Sequence, residues 1–208
     1  MPAFERGMSL HDAEIDAITS NNDEPTFENT ILAYDNAGQM LAQTELIFGM
    51  LCAAETNERM QALQEQVMPL LSAHRDKIRL DEKLFARVKD VYDRRASLGL
   101  DAEQSRLLRK TYDAFVRSGA LLDAGQKARL KEINGELSLT AVKFGNNILA
   151  ENNNFALELT ADDLEGLPSG VRDAAREKAQ AMGKGDKWVF TLHKPSLIPF
   201  LTYSAKRD

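Results

Sequence analysis

Along most of the chain apolar residues recur at alternating steps of three and four, the spacing of one face of an α-helix. From Thr26 to about Cys52, the positions Ile31, Tyr34, Gly38, Leu41, Glu45, Phe48 and Cys52 follow this rule and predict one long helix. Thr26 suits its N-cap, since a threonine oxygen accepts from the free amides of a first turn, and Pro25 breaks the preceding segment. A second helix is predicted from about Asn57 to Lys77, with Met60, Leu63, Val67, Leu70 and His74 on one stripe and a bend at Pro69.

Asp81 caps a third helix carrying Leu84, Phe85, Val88, Val91 and Tyr92, which ends near Gly99. Asp101 and Gln104 form a capping-box pair for its neighbour, whose buried stripe is Leu108, Tyr112, Phe115 and Val116, up to Gly119. From about Asp123 the residues Leu130, Ile133, Leu137, Ala141, Phe144 and Ile148 mark a long helix that lasts until the polar break Glu151–Asn154. The period then changes to two: Phe155, Leu157 and Leu159, and later Trp188, Phe190 and Leu192, predict two short strands. Between them lie a turn of helix opened by Thr160, a charged helix from Val171 to Met182 closed by Gly183, and a polar loop, Lys184–Lys187. Pro195 ends the second strand, and Ser196 to Asp208 reads as a final helix nearly encircled by Leu197, Phe200, Leu201 and Tyr203.

The predicted fold class is therefore mainly α: an antiparallel helical bundle of long helices over about 5–150, with a small two-stranded β element near 155–159 and 188–192. That element sits in a strand-helix-strand part of about 155–193, followed by the final helix of about 196–208, the whole of 1–208 forming one helical domain.

Composition narrows the partners. With 26 basic and 32 acidic residues the net charge is -6, so nucleic acid and anionic membranes are not expected partners. No run approaches the roughly 20 apolar residues of a membrane span, and the start MPAFERGMSLHDAE lacks the order of a secretory signal. A single cysteine, Cys52, excludes an internal disulfide and fits a reducing compartment, so a soluble, cytoplasmic protein is expected.

Candidate chemistry is sparse. Zinc hydrolases place two histidines at i and i+4 with a glutamate beside them. Here His11, His74 and His193 are far apart in sequence and read as structural or surface residues. Cys52 lies beside Leu51 and Ala53 and reads as a buried, inert thiol. The loop Gly183-Lys184-Gly185-Asp186-Lys187 lacks the spacing of a phosphate loop and reads as a turn. Arg94, Arg95, Arg106, Arg109 and Lys110 alternate with Asp90, Asp93, Glu103 and Asp113 as on a solvated face, and Phe155, Trp188 and Phe190 read as core rather than pocket lining. No catalytic or metal-binding residue is assigned, and the substrate-binding residues are unknown.

Four stretches in order, Pro25-Thr26-Phe27-Glu28-Asn29-Thr30, LFARVKDVYDRRASLGLDAEQSRLL, KARLKEINGELSLTAVKFGNNIL and WVFTLHKPSLIPFLTYSAKRD, resemble the thimet oligopeptidase family of zinc metallopeptidases. The wording is closest to its peptidyl-dipeptidase and oligopeptidase A branch, and the similarity starts at Pro2-Ala3-Phe4, so Met1 is expected to replace upstream sequence. The resemblance implies a helical ellipsoid with a deep channel, in which this N-terminal region forms one wall. The HExxH zinc site would lie in a C-terminal catalytic part of the same polypeptide, absent from this chain. Zinc then belongs to the parent, short peptides are its substrates, and this fragment alone is expected to be inactive. The rival expectation is a free-standing helical interaction module that presents a groove to a partner.

Overall fold

The structure, a computed structural model, describes residues 1–206; Arg207 and Asp208, the predicted end of the final helix, lie outside the described residues. It is mainly α with one two-stranded antiparallel sheet. The chain divides into two compact units, Met1–Val142 and Lys143–Asp208.

The first unit opens with a helix that the periodicity did not single out, α1 (Pro2–Thr19). The predicted long helix from Thr26 is broken. Thr26 does cap it, but the first six residues, Phe27–Leu32, form a π-helical turn that passes into the short α2 (Ala33–Asn36). Gly38 then turns left-handed at φ 76° before α3 (Gln39–Ala54). The break is enforced from outside the segment: the Gly38 amide donates to Glu14 Oε2 of α1 at 2.7 Å, and a Cβ on Gly38 would lie 2.8 Å from the His11 ring.

Next come α4 (Glu58–Arg79), which runs through Pro69 and is capped by Asn57, and α5 (Glu82–Asp93), capped by Asp81. After the left-handed Gly99, α6 (Ala102–Arg117) starts in the predicted Asp101–Gln104 capping box. The core of this unit lies where α5 and α6 meet α1 and the π-turn: Ile15, Ile18, Phe27, Ile31, Leu84, Val88, Val91, Leu108 and Phe115 are buried together. A second cluster joins Phe4, Leu41, Val67 and Leu71, with Phe48 edge-on to Phe4 at 5.3 Å.

The helix α7 (Ala124–Asn154) exists as predicted and begins at the Asp123–Gln126 capping pair. Its apolar stripe is not covered, however: Ile133, Leu137, Phe144 and Ile148 are exposed, and only Lys127 and Val142 are buried.

In the second unit β1 (Leu157–Leu159) pairs with β2 (Trp188–Phe190), Leu157 opposite Phe190 and Leu159 opposite Trp188. Both strands are shorter than predicted, and Phe155 and Leu192 lie outside them. One helix, α8 (Ser169–Ala181), packs against β2, and Leu164, Leu167, Ala175 and Phe190 form the core. The last helix, α9 (Lys194–Tyr203), takes Pro195, predicted to precede it, into its first turn, where a missing amide costs nothing, and it ends at Tyr203, short of the predicted end. Phe200 packs on Phe190 at 4.6 Å, while Ile198, Leu201 and Tyr203 face outward.

Candidate functional site

The folded chain brings together two histidines that sequence distance had kept apart. His11 on α1 and His74 on α4 meet with Nδ1 and Nε2 3.1 Å apart and ring centroids 5.1 Å apart. They line a pocket of about 320 Å³ with Tyr34, Gly38, Leu41, Glu45, Arg75 and Arg79. His74 is buried, as its place on the apolar stripe of α4 implied. Asp12 Oδ1 stands 3.7 Å from His74 Nδ1 and is held by Lys77 Nζ at 2.8 Å. A carboxylate there favours the hydrogen on Nδ1, leaving Nε2 to accept from His11 Nδ1–H. Burial is the main cause that lowers both imidazoles below their ordinary pKa; nearby carboxylates oppose it.

Zinc hydrolase sites hold the ion with three protein ligands. Among the described residues no group of three or more His, Cys, Asp or Glu side chains is placed to hold a metal ion. The His11–His74 pair supplies two nitrogens already bonded to each other, so the residues present do not fit the zinc site that the resemblance implies.

His193 is exposed at the start of α9. Cys52 is half-buried rather than buried, because its face of α3 is largely uncovered. Burial raises the Cys52 thiol pKa, the opposite of what a nucleophile needs. The lysines of the 183–187 loop serve the sheet: Lys184 and Lys187 both bind Glu158 of β1. They hold the Glu158 carboxyl down to about 2. A carboxylate lowered on folding gives stability above its unfolded pKa near 4.3 and yields it as pH falls toward the folded value. In an acid titration followed by Trp188 fluorescence, Glu158→Gln is expected to lack the part of the transition between about pH 4.3 and 2 that the parent chain shows.

Arg94 pairs with Asp90 and Glu24, each at 2.7 Å, and Arg95 lies 4.3 Å over the Tyr92 ring. Of the aromatic trio, Phe190 is core, Trp188 is half-buried beneath Arg176, and Phe155 is exposed.

The stretch Pro25–Thr30, the first part of the family resemblance, is a structural knot. Asn29 Oδ1 accepts from the Thr26 amide and the Thr30 hydroxyl, each at 2.8 Å, and from Arg87 at 3.1 Å. Arg87 also donates to the carbonyls of Asn21 and Asp23, and Arg94 to that of Pro25. Two arginines of α5 and its end thus fix the connection from α1, which gives the residue types of this stretch a structural reason to stand there.

The chain is 37% identical over 201 residues to the dipeptidyl carboxypeptidase of Escherichia coli and 36% over 203 residues to that of Salmonella typhimurium. It is 23% identical over 206 residues to a thimet-like oligopeptidase of Dictyostelium discoideum. The chain belongs to the thimet oligopeptidase and dipeptidyl carboxypeptidase family. These matches take in 96% to 98% of this chain, which spans about 30% of the length of these relatives. No protein-family model matches the sequence. The similarity is therefore pairwise and runs over nearly the whole of this chain.

Proposed function

We propose that this chain is the non-catalytic helical region of a zinc-dependent peptidase that hydrolyses short peptides, and that it forms one wall of the channel through which substrates reach a catalytic part elsewhere on the same polypeptide. The observation that carries the reading is the uncovered apolar surface. On α3, Leu46, Ile47 and Met50 are 65%, 60% and 63% exposed, Leu51 is exposed beside them, and Glu45 is the only charged side chain of the helix. On α7, Leu137 and Phe144 are 61% and 66% exposed. Helices with this much bare apolar surface are built to be covered. Relatives more than three times as long, named as peptidases, supply the chain that would cover them.

In this reading the helices exclude folded proteins by shape, hydrolysis belongs to the remainder of the polypeptide, and zinc is bound there. No helix of the described residues is long and apolar enough to cross a membrane, and the cytoplasm is the compartment we propose.

The test compares the 208-residue chain with the polypeptide extended over the remaining length of its relatives, measuring zinc content and cleavage of a short peptide. Zinc and cleavage in the longer protein alone support the assignment; cleavage by the short chain overturns it. A longer protein with neither would favour a free-standing interaction module, which the bare face of α3 would also serve. A remainder that cleaves folded proteins and peptides alike without this chain would remove the gating role.

A further inference from the structure

The His11–His74 pair has no part in the proposed peptidase reading, yet it is built with care. Each ring comes from a different helix, α1 and α4, and the two meet in the wall of one pocket. The His11 ring also packs on Gly38, whose amide is held by Glu14. One hydrogen bond between imidazoles thus sits at the junction of α1, the α2–α3 turn and α4.

A hydrogen bond between two imidazoles survives when both are neutral or when one is protonated, because one nitrogen still accepts. It fails when both are protonated: four N–H donors then leave no acceptor, and two like charges face each other at hydrogen-bond distance. The charged and titratable groups around the pair are Asp12 and Glu14 from α1, Tyr34 from α2, Glu45 from α3, and Arg75, Lys77 and Arg79 from α4. Lys77 bonds Asp12 and Arg75 bonds Glu45, so two of the three carboxylates are already matched by cations. The third, Glu14, bonds the Gly38 amide. All three carboxylates thus already have partners, and Asp12, 3.7 Å from His74 Nδ1, favours one protonated ring rather than two.

We propose that His11 and His74 form a pH-sensitive clasp that ties α1 to α4 and the Gly38 turn at neutral pH and releases them when both rings take up protons. The lowered pKa of both rings agrees with this sense. The sign follows from linkage: a histidine lowered on folding binds fewer protons than the unfolded chain, so stability is lost as pH falls below the ordinary imidazole value near 6.5. Of the three histidines in the sequence only His193 lies outside the pair, exposed in the second unit, so its substitution serves as the control variant.

The experiment uses the 208-residue chain. Proton NMR titration of the parent is expected to show the His11 and His74 imidazoles with apparent pKa values below about 6.5 and coupled to each other. The thermal midpoint is expected to fall by roughly 3–8 °C between about pH 7.5 and about pH 5.5. His11→Gln should remove at least half of that fall, and His193→Gln none of it. Amide exchange, corrected for its intrinsic pH dependence, should quicken in α1 and at Gly38 on acidification before it does in α5 and α6. Two paired imidazoles titrating at or above about 6.5, or an exchange change spread evenly over both groups of helices, would overturn the clasp. These two readings need only the parent chain, so the proposal stands or falls even if a histidine variant does not fold.

Discussion

Phe115→Ala is expected to cost about 3–5 kcal/mol in urea or thermal unfolding, a large share of the roughly 5–15 kcal/mol that holds a typical domain folded. Phe115 is 1% exposed and sits where the stripes of α5 and α6 meet the π-turn. Its ring lies 6.0 Å from Phe85 and 5.2 Å from Tyr34, and the Phe85 ring continues the stack to Tyr112 and Tyr92. Truncation opens a cavity that no neighbour can fill, because Leu84, Val88, Val91 and Leu108 around it are already buried and close-packed. The control is Leu137→Ala on α7, equally apolar on paper but 61% exposed, where a change within about 0.5 kcal/mol is expected. Equal losses at the two positions would mean that the exposed stripe of α7 is covered in this chain after all.

That contrast shows what periodicity can and cannot convey. The α5 and α6 stripes were read with most of their buried residues, Leu84, Phe85, Val88, Val91, Leu108 and Phe115, because this chain itself supplies the surface they pack on, while Tyr92, Tyr112 and Val116 are half-buried and the buried Thr111 was missed. The same spacing gave α7 correctly and merged α3 with the turn before it, yet Leu137 and Phe144 of α7 stay exposed: a stripe records that a face is to be buried, not by what. The caps Thr26, Asp81 and Asp101 were legible because an N-cap is settled within four residues.

What failed was decided at long range. The helix α1 was missed because one of its closest contacts is made by a glycine: a Cβ on Gly7 would stand 3.0 Å from the Leu41 Cα, so the position that lets α1 approach α3 adds nothing to an apolar stripe. The break at Gly38 answers to Glu14, 24 residues earlier. His11 and His74 lie 63 residues apart, and no spacing rule for histidine pairs spans such a gap. The one available hint was the place of His74 on an apolar stripe, since a buried imidazole requires a partner.

Gly166→Ala should destabilise the second unit by roughly 3 kcal/mol. Gly166 has φ 85°, which costs an alanine about 1 kcal/mol, and a Cβ there would lie 2.3 Å from the Tyr203 carbonyl oxygen and 3.0 Å from the Ala205 amide. Both are backbone atoms, so relief requires the segment after α9 to move. That segment is anchored at this point: the Ala205 amide donates to the Glu165 carbonyl at 3.0 Å, and Lys206 Nζ to Asp163 at 2.8 Å. Moving it loosens α9, and with it the contact of Phe200 on Phe190 that closes a small core. Gly183→Ala separates the two causes, because Gly183 has φ 71° and open space where its Cβ would go. It should cost only the conformational part, about 1 kcal/mol. Trp188, the only tryptophan in the chain, stands in β2 and reports on this unit by fluorescence during urea unfolding. A midpoint that falls far more for Gly166→Ala than for Gly183→Ala means that close backbone approach holds α9 in place; equal falls would leave left-handed geometry as the whole role of Gly166.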